Sequence, residues 1–206
     1  MPTFAISREC DPALSLQERE MMTIQLIIGS SFMPSVRWIR SYAIERPDRL
    51  ASVCVYEAPT KSILATFSRC WPVPFTEIRE VRESIPDDFV ARESNRAPEG
   101  SRLYMIQRQF PADMTEDELG AVGMRAAFCA SMISGISWVR SYWDEERKFS
   151  RCFYRATSPA FLEDHARRTV MPVDAIDEVN EAGPSSFSGL YDGFGLPRHW
   201  ESPLPV

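Results

Sequence analysis

The feature that most constrains this chain is a stretch written twice. "WIRSY" stands at 38–42 and "WVRSY" at 138–142. The match runs well beyond these words. At an offset of 100, Arg8 falls on Arg108, Glu18 on Glu118, and Glu45 on Glu145. Past Glu45 the offset becomes 98, and Ser52, Cys54, Tyr56 and Ala58 fall on Ser150, Cys152, Tyr154 and Ala156. The slip sits beside Pro47 and Asp48, a turn signal, where a change of length costs little. A register held this long identifies an internal duplication.

Each copy carries the same local signals. "TFAIS" and "LYMIQ" read as short apolar strands. Ser15-x-x-Glu18 and Thr115-x-x-Glu118 are capping boxes, in which the hydroxyl accepts from a first-turn N–H and the Glu reaches back to the cap's own N–H. They predict helices over roughly 16–33 and 116–133. "VRWIRSYAIE" and "ISWVRSYWDE" are second strands, followed by "SVCVYEA" and "SRCFYRA". Thr60 and Ser158 are N-cap residues, with Pro159 suited to the first helical position. "FTEIREV" and "VDAIDEV" close the copies. The order is βαββαβ twice, the ferredoxin-like unit. Its four-stranded sheet covers one face with two helices and leaves the other bare. The expected fold is therefore α+β, with two repeats packed bare face to bare face as a fused pseudo-two-fold α+β barrel. The expected divisions are 1–81 for the first repeat, 82–101 for a polar linker, 102–181 for the second repeat and 182–206 for a tail. The tail is rich in Gly, Pro and aromatics, so it reads as non-helical. Its Phe187, Tyr191, Phe194 and Trp200 suggest packing on the body or on a neighbouring chain.

Composition narrows the function classes. A chain of 206 residues at net charge −6, with no basic block, lacks the clustered cations that duplex DNA or anionic membranes demand. No apolar run approaches the ~20 residues of a spanning helix. No basic and then apolar leader pattern opens the sequence, and the five cysteines contain no CxxC. Reduced thiols in a cytoplasmic protein are the expectation, with neither nucleic acid nor membrane as a partner.

Taken in order, these motifs resemble a known family. A first strand ending in Arg8 or Arg108, a W-x-x-S-Y strand, a C-x-Y-x-A strand and a Pro-x-x-x-Ile-x-x-Val strand look like the small ferredoxin-like nickel-binding domain proteins. The resemblance covers about 1–81 and 102–179. It implies single-copy members that form dimeric α+β barrels, with the unit here in tandem, and it implies nickel as a ligand. The chain departs from the pattern at several polar positions. The family's Glu before the strand-one Arg is replaced by Ser7 and Gln107. Its helix-two His is matched by His165 but by Phe67 in the first copy, and its Asp after Pro-Val survives as Asp174 but not at Thr76.

The candidate chemistry is thin, and alternatives stand side by side. A metal site would use His165 with Asp174 or Asp164, but the two histidines, His165 and His199, stand in no recognised spacing. The preferred reading of His165 is a partly buried helix residue with one hydrogen bond. Strand alternation places Val36, Trp38, Arg40 and Tyr42 on one face, and Ile136, Trp138, Arg140 and Tyr142 on another, with Ile39 and Ser41 opposed. Such a face suits a planar or anionic organic molecule. Trp38, Arg40, Tyr42, Tyr56, Gln107, Trp138 and Tyr154 are then the candidate binding residues. In a cofactor-independent isomerase, cyclase or oxygenase, His165 would be the acid or base, Arg140 would hold negative charge, and Tyr142 would offer a phenol. The competing reading fills the core with Trp and Tyr and pairs the arginines with a strand carboxylate such as Glu80 or Glu178. Cys54 and Cys152 read as small buried hydrophobes. No nucleotide or flavin motif occurs, so the sequence itself requires no cofactor. Three functions follow: a small-molecule-binding or catalytic barrel, a nickel-binding protein, and a structural protein whose tail mediates homo-oligomerisation.

Overall fold

The computed structural model describes residues 1–71, 73–86, 95–144, 146 and 148–196. The chain forms two compact units of the same design, Met1–Glu80 with the chain after Val179, and Val81–Val179.

The first repeat runs β1 (Thr3–Cys10), α1 (Leu16–Phe32), β2 (Arg37–Arg46), β3 (Arg49–Glu57), α2 (Lys61–Arg69) and β4 (Glu77–Ser84). The second runs β5 (Arg102–Gln109), α3 (Glu116–Ser131), β6 (Ile136–Asp144), β7 (Phe149–Ala156), α4 (Pro159–Thr169) and β8 (Ala175–Glu178). This is the expected α+β order. The two capping boxes form as read: Ser15 and Thr115 accept from Glu18 and Glu118 N–H, and each glutamate accepts from the cap's backbone N–H at 2.8 Å. Thr60 caps α2 through the Ile63 N–H. Ser158 has the extended backbone of an N-cap, but its hydroxyl makes no cap bond, and Pro159 alone marks the start of α4.

In the first unit the hydrogen-bonded strand order is β4–β1–β3–β2–β9, where β9 is Asn180–Ala182. In the second it is β8–β5–β7–β6, with the end of β4 beside β6. The chain therefore passes from one unit to the other within β4, and again between β8 and β9. Arg82–Ser84 pair with Trp143–Ser141, and Asn180–Ala182 pair with Ala43–Ser41. Residues 82–84, read in the sequence as the start of a linker, are strand.

One expectation is overturned. Trp38 pairs with Tyr56 but Arg40 already pairs with Val55, and Trp138 and Arg140 repeat the shift against Tyr154 and Phe153. A β-bulge at Ile39 and Val139 inserts one extra residue, and side-chain alternation inverts beyond it. Trp38 and Ser41 thus face the helices together, as their 2.9 Å indole-to-hydroxyl bond shows, and so do Trp138 and Ser141 at 3.0 Å. Arg40, Tyr42, Arg140 and Tyr142 point to the opposite face. Trp, Arg and Tyr do not share one face.

The helix-facing cores confirm the split. Phe4, Ile6, Trp38, Cys54 and Tyr56 pack with Ile27 of α1 and Leu64 and Phe67 of α2. Tyr104, Ile106, Trp138, Cys152 and Tyr154 pack with Ala127 and Ala130 of α3 and Leu162 of α4.

The tail corrects the expectation of a non-helical segment. Pro184–Phe187 form a 3₁₀ turn and Ser188–Phe194 a short helix, α5. Gly195 ends it in the left-handed region at φ 60°, the conformation glycine supplies most cheaply. Phe187 lies 5.9 Å from the Trp38 ring, and Tyr191 is buried against α1, its hydroxyl bonded with Ser30 and Ser31. These two aromatics are committed to the first unit of their own chain. Trp200 and His199 lie outside the described residues.

Candidate functional site

A cavity of about 200 Å³ lies in the second unit between α3 and its sheet. Its floor is Trp138, Ser141 and Trp143 of β6 with Cys152 and Tyr154 of β7. Arg82 and Ser84 at the end of β4 form one side, and Met171 contributes from beyond α4. The roof is α3, from Glu116 to Ala127.

The helix makes this space with small residues. Gly120, Gly123, Ala126 and Ala127 face the cavity, where the same positions of α1 hold Glu20, Thr23, Leu26 and Ile27. Glycine inside a helix costs about 1 kcal/mol relative to alanine. Neither glycine has a backbone reason to be there, since neither takes positive φ. A Cβ on Gly120 would meet nothing within 4 Å, and one on Gly123 would meet only the Trp143 ring at 3.8 Å. The helix is thinner than packing requires.

Behind the floor lies a buried polar layer. Arg108 is wholly buried, donates Nη1–H to the Pro172 carbonyl at 2.5 Å, and lies against the Tyr154 hydroxyl. Burial pushes the Tyr154 phenol well above its ordinary value, so it stays protonated. His165 is also wholly buried, with its ring 5.2 Å from that of Tyr154. Its Nε2 bonds the Ala126 carbonyl at 2.9 Å. A carbonyl can only accept, so Nε2 carries the proton, and Nδ1 is a bare nitrogen with no hydrogen-bond partner among the described residues. Burial, and secondarily the Arg108 charge, lower the His165 pKa to about 4, against the carbonyl bond that raises it.

Of the residues the sequence singled out, Trp138 and Tyr154 line the cavity, and His165 stands one layer behind them. Trp38 and Tyr56 occupy the equivalent core of the first unit. Arg140 and Tyr142 are elsewhere: Nη1 of Arg140 and the Tyr142 hydroxyl both donate to Glu83 Oε1, at 2.9 and 3.0 Å, on the opposite face of the sheet. Arg40 pairs with Glu181 at 3.7 Å in the first unit, and Tyr42 is buried on that same face. The arginines do pair with strand carboxylates, but with Glu83 and Glu181 rather than Glu80 and Glu178; Glu178 is taken by Arg102. Gln107 alternates away from Ile106 and Arg108, and so faces away from the helices. His165, Arg140 and Tyr142, the candidate catalytic set, are not brought together.

Among the described residues, the donor set read from the sequence does not form a nickel site. Among the described residues no three His, Cys, Asp or Glu side chains gather. Nε2 of His165 is held by a carbonyl, and Asp174 Oδ2 accepts the Gln109 N–H at 2.6 Å. Asp164 is bonded to Arg167 and Arg168.

Sequence reasoning missed the roof glycines and alanines and the hydroxyls of Ser84 and Ser141. The α1-to-α3 alignment at offset 100 held the first signal, since it sets Gly123 against Thr23 and Ala126 against Leu26.

Comparison with known proteins agrees with the resemblance. Residues 104–179 match the family model of SCO4226-like nickel-responsive proteins. No curated protein matches the chain in sequence. Two mutant chlorite dismutases from Candidatus Nitrospira defluvii share the fold: one superposes with TM-score 0.53 at 11% identity and the other with 0.52 at 9%, each over 94% of both chains. A provisionally assigned chlorite dismutase, TA0507, superposes with TM-score 0.50 at 10% identity over 92% of this chain and 99% of its own. At such identities the likeness is one of fold. No described helix is long and apolar enough to cross a membrane.

Proposed function

We propose that the second unit, the part of the chain that matches the nickel-responsive family, binds a small and largely apolar organic molecule beneath α3. The observation that carries this reading is the cavity itself. It is walled by Trp138, Trp143 and Tyr154 and kept open by two helical glycines that weaken α3 for no packing gain. The aromatic floor offers stacking area to a flat ligand, while Arg82 and Glu116 put charge at its margin. Binding is the activity this geometry supports. His165 keeps its proton on Nε2 against a carbonyl, and Arg140 and Tyr142 serve Glu83 on the far face, so the acid–base set read from the sequence does not converge on the cavity. The chain is read as a ligand-binding protein whose cavity takes an organic molecule rather than a metal ion. Localisation in the cytoplasm remains the reading that the reduced thiols favour.

The test uses indane, a planar apolar bicycle, titrated against the full chain while tryptophan fluorescence is followed. Saturable quenching is expected, because Trp138 and Trp143 form the wall. Gly123→Leu places a side chain in the empty space and raises helix propensity by about 0.8 kcal/mol. It is expected to abolish the quenching while holding or raising Tm. Equal binding by the folded variant would remove the cavity from the proposal.

A further inference from the structure

Ser141 lies in the cavity floor and is 3% exposed. Its Oγ accepts the Trp138 indole N–H at 3.0 Å. An indole nitrogen only donates, so Oγ is the acceptor in that bond and its single proton is left over. No described residue takes that proton. Ser84 stands directly across the β4–β6 ladder from Ser141 and also lines the cavity. Opposed residues of an antiparallel pair hold their Cβ atoms about 4.5–5.5 Å apart, close enough for both hydroxyls to meet one oxygen atom. The first unit keeps the Trp38–Ser41 bond, but Ala182 takes the place of Ser84. Ser41 facing Ala182 leaves the first unit without this hydroxyl pair.

We infer that the cavity's ligand carries a hydrogen-bond acceptor, a carbonyl or similar oxygen, which receives the Ser141 O–H while the apolar body lies against Trp138 and Tyr154. Ser141 is thus the residue that orients the ligand and distinguishes an oxygenated molecule from its hydrocarbon. Trp138 sets the direction of the hydroxyl by holding its oxygen. The inference rests on the cavity being a binding site and adds the chemical class of the occupant.

The experiment compares 1-indanone with indane, which differ by one carbonyl, on the wild-type chain, Ser141→Ala and Ser84→Ala. Ser141→Ala is expected to raise the Kd of 1-indanone about three- to tenfold more than that of indane, the weight of one neutral hydrogen bond. Ser84→Ala keeps the Trp138 bond intact and is expected to give a smaller change of the same kind. The infrared carbonyl stretch of bound 1-indanone supplies a readout that needs no variant, and it should fall below its frequency in hexane. An unshifted stretch, or equal loss of both probes in Ser141→Ala, overturns the acceptor while leaving the cavity in place. Failure of both probes to bind the wild-type chain overturns the binding reading itself.

Discussion

The two first helices, α1 and α3, start from the same capping box and cover the same strands, yet they treat the space beneath them differently. α1 buries Ile27 in its core, and its C-terminal end is covered by Tyr191 from the tail. α3 sends Ala126 and Ala127 inward and leaves a cavity. The second helices diverge in step. Phe67 is part of the apolar core of the first unit, while His165 at the same position joins the buried polar layer beside Tyr154. The second repeat thus carries smaller side chains at the roof positions where the first carries larger ones, while each keeps a buried arginine, Arg8 or Arg108, beside its core.

The largest way to break this contrast is to truncate the aromatic they share. Trp38 is packed against Phe187 and the α1–α2 core, so Trp38→Ala is expected to cost about 3–5 kcal/mol. Trp138 already borders empty space, so Trp138→Ala should cost clearly less in denaturant unfolding. Equal costs would mean that the two cores are equally tight.

Acid comes next. His165 is held to a pKa of about 4 in the fold and reverts to an ordinary value of about 6.5 when unfolded. The unfolded chain therefore binds the proton first. The stability that neutral His165 supplies is complete above about pH 6.5 and is lost as pH falls towards 4, amounting to about 3 kcal/mol at most. His165→Phe, which copies the first repeat, should flatten that part of the stability profile. A profile unchanged by the substitution would place the acid sensitivity elsewhere.

The smallest effect lies on the opposite face. Glu83 receives two donors at 2.9 and 3.0 Å, whereas Glu181 lies 3.7 Å from Arg40. Glu83→Gln is expected to cost about 1 kcal/mol and Glu181→Gln less than that, both being partly exposed. Reversal of that order in urea titrations would show that the shorter contacts do not carry the difference.

These contrasts also show what the sequence could reveal. Element order and helix starts were legible because capping boxes and turn residues act within four residues of themselves, as at Ser15 and Thr115. The faces of β2 and β6 were not. The bulge at Ile39 and Val139 has no residue signature of its own, yet it inverts every side chain after it, which moved Arg140 and Tyr142 away from Trp138. The partners of the arginines were missed for a related reason. β4 continues past Val81, so Glu83 rather than Glu80 meets Arg140. The cavity depends on the volume difference between Leu26 and Ala126 and between Thr23 and Gly123, which becomes visible only when the repeats are compared with each other.

The exchange of strand ends bears on how this chain can come apart. β6 has β7 on one side and Arg82–Ser84 on the other, and β2 is completed in the same way by Asn180–Ala182. A second repeat released on its own would keep its helices and most of its cavity wall but show a bare edge along β6, with unmet backbone donors and acceptors. Such a fragment gains from any strand that fits, including the matching one of another fragment. Severing the chain near residue 95 should accordingly make the completion of both sheet edges depend on how often two pieces meet.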